Sequence, residues 1–306
     1  MDWGIHLPHL GRQASGEALV SFAQRAEALG FHSGWVSDHI AFPRDIESRY
    51  PYSADGSFPA APNLPWLDPL GTLFFVAGCT KTLKLGSTVL ILGYRHPVQT
   101  AKAVASLDVV SDGRVILGVG VGWMREEFEV LGMPYDHRGQ RADEQLEVFK
   151  VLFSEEHPSY AGKYFSFPEV GFEPKPVNGK VPIWVGGNTE AAYRRTARFG
   201  DAFHAAFEPV DAVRAGWARV QELAAGEGRE PTTLTLSIRL FLDPEGFMPG
   251  AKSIAGSADQ MLDTIAAWQE IGVSHVLVDP VASGGLDGRV AAMEHFMADV
   301  APRVRG

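Results

Sequence analysis

The stretch Val115-Ile-Leu-Gly118-Val-Gly120-Val-Gly122-Trp123 decides the fold. An apolar strand runs out into glycines at every second position, which suits close approach of a flat ligand to the backbone. A dinucleotide-binding turn would read G-x-G-x-x-G, and counted from Gly118 the place of the third glycine is held by Trp123. The turn after the first strand, Pro8-His-Leu-Gly-Arg12, lacks that fingerprint as well. Outward from this stretch the same alternation repeats. Strands are expected at Trp3–Leu7, Gly34–Ser37, Leu83–Leu92, Arg114–Val119, Val181–Val185, Ala202–Ala206, Leu234–Leu242 and His275–Val278. A helical stretch follows each, as in Ser15–Leu29, where Ala18, Phe22, Ala26 and Leu29 share one face.

Eight such units in 306 residues imply an α/β chain folded as one (β/α)8 TIM barrel domain over residues 1–306, with a doubly wound open sheet as the alternative. Insertions are expected after strands 2, 4 and 7. Ala41–Pro65 is rich in proline and aromatic residues, Ser154–Lys180 reads as a short hairpin with a Pro-rich return, and Pro244–Gly256 is a candidate lid.

With 27 Lys+Arg against 37 Asp+Glu the formal charge is −10, which repels polyphosphate backbones and anionic membrane surfaces. Small molecules are the expected partners, with no nucleic acid and no membrane. The single cysteine, Cys79, sits in an apolar run and reads as packing. The start Met1-Asp-Trp-Gly-Ile-His has no basic leader region, and no stretch approaches the roughly 20 apolar residues of a membrane span, so a cytoplasmic location is expected.

Chemistry is sought where strands end. Asp38-His39 places a carboxylate and an imidazole at the carboxyl end of strand 2, to handle a proton near neutral pH or to cap a loop and fill a gap. Arg95 and His96, closing the apolar third strand, read either as site residues or as solvated loop. Gly186-Gly187-Asn188-Thr189 leads from a strand into a helix, which makes a phosphate cradle or a tight turn with an N-cap. His6 and His9 lie three apart with no third ligand indicated, and no metal is assigned. Arg125, Glu126 and Glu127 read as a solvated helix face. The aromatic residues Phe42, Tyr50, Tyr52, Phe58 and Trp66 either line a substrate pocket or pack their long loop.

Taken together, Gly30-Phe31, Ser37-Asp38-His39, Leu85-Gly-Ser-Thr-Val-Leu-Ile-Leu-Gly-Tyr-Arg-His-Pro97, Gly118-Val-Gly-Val-Gly-Trp123 with Glu126-Glu127-Phe128, and Pro182-Ile-Trp-Val-Gly-Gly-Asn188 resemble the bacterial luciferase-like monooxygenase superfamily. Arg49–Gly56 and Trp66-Leu-Asp-Pro69 resemble its F420-dependent oxidoreductase branch. The resemblance implies a barrel that holds F420, or alternatively FMN, at the carboxyl ends of its strands. His39 would meet the reacting ring, with Asp38 beside it as a second catalytic residue. A non-prolyl cis peptide at Thr88–Val89 would shoulder the ring, and Gly118, Gly120, Gly122, Gly186, Gly187, Asn188 and Thr189 would complete the cofactor site. Phe42, Tyr52, Trp66 and Trp123 would hold substrate. Where luciferase itself uses an arginine on the flavin phosphate, this chain has Val121. The implied function is F420-dependent hydride transfer to or from a small organic substrate. An FMN monooxygenase fed by a separate reductase is the alternative, and a cofactor-binding barrel without turnover the second. A homodimer is the superfamily's habit.

Overall fold

The computed structural model describes residues 1–304 apart from Ala54, Pro249 and Ala251. Ala54 belongs to the first expected insertion and to the Arg49–Gly56 tract; Pro249 and Ala251 belong to the candidate lid, and Arg305 and Gly306 to the expected domain span. Those five therefore lie outside the described residues.

Eight parallel strands close into a barrel: β1 Asp2–His6, β2 Ser33–Val36, β3 Lys84–Ser87, β4 Val115–Gly120, β5 Ile183–Gly186, β6 Ala202–Ala206, β7 Thr235–Asp243 and β8 Val273–Pro280. Neighbours pair in chain order, and the ring closes where β8 pairs with β1, with Trp3 opposite Val276. Helices α1 Gly16–Ala28, α2 Pro69–Cys79, α3 Pro97–Val110, α4 Arg125–Val130, α5 Arg138–Ser154, α6 Glu190–Phe199, α7 Val210–Gly226, α8 Ala258–Glu270 and α9 Gly285–His295 lie between the strands. The main core fills the layer between barrel and helices, with Phe22, Leu73, Val104, Phe149, Ile265 and Phe296 at its centre.

Local chemistry explains these elements. Ser15 caps α1 by accepting from the Ala18 amide, Asp68 does the same for α2 through Gly71, and Ser257 closes a capping box with Gln260 on α8. At the amino-terminal face the buried Arg114 guanidinium donates to the carbonyls of Ala77, Thr80, Leu83 and Ser111 and to the Thr80 hydroxyl. It thereby satisfies carbonyls at the C-terminal ends of α2 and α3.

The barrel's own interior is unusual. Branched aliphatics normally fill it, but here the Trp35 indole occupies the middle, with Trp184, His204 and His275 ring centroids 5.0, 5.3 and 5.5 Å away. Gly4 and Gly86 make room for it, since a Cβ at either would run into the Trp35 ring. At Gly118 a Cβ would collide with the Ser87 carbonyl oxygen.

Strand 3 is shorter than its apolar run suggests. It stops at Ser87, the Thr88–Val89 peptide is cis, and Leu90–Ile91 then rejoins β4 as a two-residue bridge before a 3-10 turn at Leu92–Tyr94. The insertions are present. Residues 37–53 and 55–68 run irregularly after β2. A hairpin of Tyr160–Ala161 with Ser166–Phe167 follows α5, held to that helix where Glu144 accepts from the Tyr164 and Phe165 amides. Beyond β7, Ser253–Ala255 pairs in parallel with Phe241–Asp243.

Gly118→Ala therefore forces the barrel wall apart. We expect a loss of about 3 kcal/mol or more, read as a lowered denaturation midpoint.

Candidate active site

A cavity of about 560 Å³ opens at the carboxyl ends of the strands, within the range of small-molecule sites. Its polar wall comes from strand ends and its roof from the first insertion. In the roof, Tyr50, Tyr52, Phe58 and Trp66 line the cavity, joined by Trp123 from the loop after β4. Phe58 stands 5.0 Å from Tyr50 and 5.3 Å from Trp123, ring centre to ring centre. Phe42 lies outside the lining and backs it, 5.6 Å from Phe58 and 5.5 Å from Trp66. The insertion is stitched down by Trp66 Nε1, which donates to the Ser37 carbonyl, and by Lys252 beyond β7, whose Nζ donates to the Tyr52 carbonyl at 2.8 Å. Burial among these groups pushes the Tyr52 phenol up to about 12.

His39 lines the cavity with its ring only 10% exposed. Its partner is not the adjacent Asp38. His39 Nδ1 lies 2.7 Å from Glu127 Oε2, on α4, and Glu127 also accepts from the Ile40 amide at 2.6 Å, the Ala41 amide at 3.1 Å and the Tyr94 hydroxyl at 2.7 Å. Burial alone would neutralise this carboxyl, but His39 and these donors outweigh it and hold Glu127 below its ordinary value. An ionised Glu127 accepts the Nδ1 proton, so Nε2 is the atom of His39 left to take or give one. The reading of Arg125, Glu126 and Glu127 as a solvated face is thus corrected at Glu127, which is fully buried, because α4 turns that side chain inward beside Phe128. Glu126 serves the insertion, accepting from the Glu47 and Ser48 amides.

Asp38 is committed elsewhere. It receives both guanidinium nitrogens of Arg95 at 2.6 and 3.0 Å and the Ile91 amide at 2.9 Å, while Arg95 also reaches Asp68. Burial pushes the Asp38 carboxyl up, against the pull of Arg95. Arg95 is therefore an anchor of the strand ends and not a solvated residue, whereas His96 caps α3.

The expected cofactor residues divide. Thr88, Val89, Gly186 and Gly187 line the cavity. Gly118, Gly120 and Gly122 do not. Their missing side chains make room for the Ser87 carbonyl, the Val89 side chain and Phe128 respectively, so they shape the shoulder from behind. Gly186 likewise clears Val89, and Gly187 takes φ +114°. Thr189 caps α6, and Asn188 donates to Glu208 at 2.9 Å while its own buried Oδ1 has no partner.

The opposite wall carries charge that the sequence reading missed. Arg239 on β7 pairs with Asp279 on β8 at 2.5 Å, and Arg289 of α9 stands 3.8 Å from the same carboxylate. Burial opposes the Asp279 charge, yet His6 and the two arginines hold it ionised far below the usual range. Burial lowers His6 to about 4 and His9, which bonds the Ser37 carbonyl, to about 3. Two guanidiniums against one carboxylate leave this wall positive. The readable signal was Asp279 at the carboxyl end of β8, with Arg239 midway along the neighbouring β7.

A family model described as luciferase-like monooxygenase matches residues 4–245. The F420-dependent hydroxymycolic acid dehydrogenase of Mycobacterium tuberculosis is 31% identical over 242 residues, 78% of this chain and 61% of the relative. Among solved structures, an F420-dependent secondary alcohol dehydrogenase in complex with an F420-acetone adduct superposes with TM-score 0.80 at 17% identity, covering 100% of this chain and 99% of the other. A type II Baeyer-Villiger monooxygenase in complex with FMN, the oxygenating constituent of 3,6-diketocamphane monooxygenase from the CAM plasmid of Pseudomonas putida, does so with TM-score 0.78 at 18% identity, over 100% and 99%. At these identities the structural matches establish the shared fold.

Two predictions follow from the site's protonation. Glu127→Gln removes the carboxylate that fixes the His39 proton on Nδ1, and turnover should fall about 100-fold or more while cofactor affinity changes little; steady-state kinetics beside a binding titration check it. His6, His9 and His204 have folded values of about 4, 3 and 3, below the unfolded 6.5. The unfolded chain therefore takes up protons that the barrel refuses, so their stabilisation is complete above pH 6.5 and drains away as pH falls toward 3. Denaturant melts at pH 7 and 5 should differ by on the order of 2 kcal/mol per histidine.

Proposed function

This chain belongs to the luciferase-like monooxygenase family, and from that premise we propose that it is an F420-dependent oxidoreductase, passing a hydride between the deazaflavin and a small organic substrate. The observation that carries the reading is the His39–Glu127 pair, an imidazole locked by a fully buried carboxylate on the wall of a cavity roofed by aromatic rings. The name of the Mycobacterium tuberculosis relative supports F420 over FMN, as does Val121 at the position of luciferase's phosphate-binding arginine.

The residues present fit such a group. The amino end of α6 opens behind Gly186 and Gly187, which line the cavity, and suits an anionic tail. Thr88 and Val89 offer a shoulder for a planar ring, and the positive wall of Arg239 and Arg289 faces the same space. When bound, the deazaflavin supplies two-electron hydride chemistry without oxygen activation. The protein's part is to orient the substrate under Tyr52, Trp66 and Trp123, to exclude water, and to hold or accept a proton at His39 Nε2. Asp38 takes no proton in this reading; it positions the strand ends through Arg95.

The substrate is a small molecule held beneath the insertion, and the chain works in the cytoplasm. Among the described residues no helix is long and apolar enough to cross a membrane. The homodimer is proposed to use the early helices, where Phe75, Val109 and Val110 are 48, 42 and 63% exposed. A separate reductase belongs to the FMN reading alone.

Purified protein titrated with F420 and with FMN separately should retain F420 through gel filtration and lose FMN. Tight FMN with no F420 would replace this reading by a reductase-fed monooxygenase. His39→Ala should keep F420 affinity and lose turnover; a wild type that binds F420 yet turns over no substrate with any reductant would mark a binding protein.

A further inference from the structure

The barrel interior holds a line of polar groups that the chemistry above leaves unused. It starts in the cavity wall, where Thr88 Oγ1 lies 2.9 Å from His204 Nε2. His204 Nδ1 is 2.9 Å from Ser237 Oγ, and Ser237 Oγ is 2.9 Å from His275 Nδ1. His275 Nε2 is 3.0 Å from Ser33 Oγ, which stands 3.3 Å from His32 Nδ1. His204, Ser237, His275 and Ser33 are no more than 2% exposed, whereas the His32 side chain, at the amino-terminal face, is 34% exposed. The line thus crosses the barrel from the cavity to solvent at the opposite end.

Every member is a hydroxyl or an imidazole, and so both donates and accepts. Burial holds His204 at about 3 and His275 well below the ordinary value, so each ring is neutral, with one N–H and one open nitrogen. Trp35 Nε1, a donor only, donates its hydrogen bond to Ser33 Oγ at 2.8 Å. That bond occupies one lone pair of Ser33 and leaves its hydrogen free to turn toward His275 or toward His32.

We propose that these residues form a proton relay through the barrel, joining solvent at the amino-terminal face to a ligand seated against Thr88. In one passage His32 gives a proton to Ser33, Ser33 gives its own to His275 Nε2, and His275 Nδ1 gives one to Ser237. Ser237 passes its proton to His204 Nδ1, His204 Nε2 passes one to Thr88, and the Thr88 hydroxyl proton goes to the ligand. One proton enters from water at His32 Nε2, one leaves from Thr88, and His32, His275 and His204 all exchange tautomer. The next passage in the opposite sense restores the starting state without any ring turning over. A ligand that gains a proton in one half-reaction and returns it in the other therefore resets the line.

The test needs no cofactor, so its failure leaves the hydride-transfer reading standing. In protein carrying ring-15N-histidine, with water in the ligand's place, the ring-nitrogen shifts of His204 and His275 should report two interconverting neutral tautomers, the two rings switching together, because a proton passes only when both do. Thr88→Val and Ser33→Ala each cut the line, and either should abolish the interconversion in both rings with backbone amide protection unchanged. His32→Gln, at a partly exposed position that tolerates change, should do the same and serves should Ser33→Ala fail to fold. Rings held in a single tautomer in the wild type, or still interconverting once the line is cut at either end, overturn the relay.

Discussion

An indole in the middle of an eight-stranded barrel is the constraint from which the rest follows. Trp35 fills space that several strands would normally share, so Gly4 and Gly86 carry no side chain where they face it. The remaining room goes to Trp184 and to His204 and His275, whose ring nitrogens must then find partners inside the barrel. Ser33, Ser237 and Thr88 supply them. Above that polar layer the strands end, and the cavity begins where the aliphatic filling of an ordinary barrel would have continued.

The site is then assembled by carboxylates that bind backbone. Glu127 gathers His39, two amides of the first insertion and the Tyr94 hydroxyl; Asp38 gathers Arg95 and an amide of strand 3's continuation. Each is buried; the donors around Glu127 outweigh that burial, whereas at Asp38 burial outweighs the pull of Arg95. The imidazole is thereby fixed in direction and tautomer before any ligand arrives, which is the preorganisation that proton transfer requires. The insertion supplies apolar cover and water exclusion, and the strand ends supply charge.

The fold was legible because strand, glycine and helix alternate with little interruption, and because Trp123 excludes the dinucleotide turn. Strand 3 was overextended because an apolar run cannot reveal that its chain turns out at Thr88 and returns at Leu90. His39 was legible from its place at a strand end, and Gly186 and Gly187 from the turn they make. Gly118, Gly120 and Gly122 were assigned to a ligand because spacing shows a missing side chain but not which neighbour needs the space. Glu127 escaped because on a six-residue helix an Arg-Glu-Glu start looks solvated. Only its tertiary neighbours, 87 and 88 positions earlier in the chain, decide otherwise.

At the far end of the barrel, Arg114 binds five oxygens of the segments around it. That planar, many-toothed clasp has no equivalent in a lysine, whose compact charge reaches fewer acceptors. Foundations and workshop therefore occupy opposite ends of this molecule. New roofs can be tried over the same floor, so a lineage built on this frame is free to change what it handles without first rebuilding what keeps it upright.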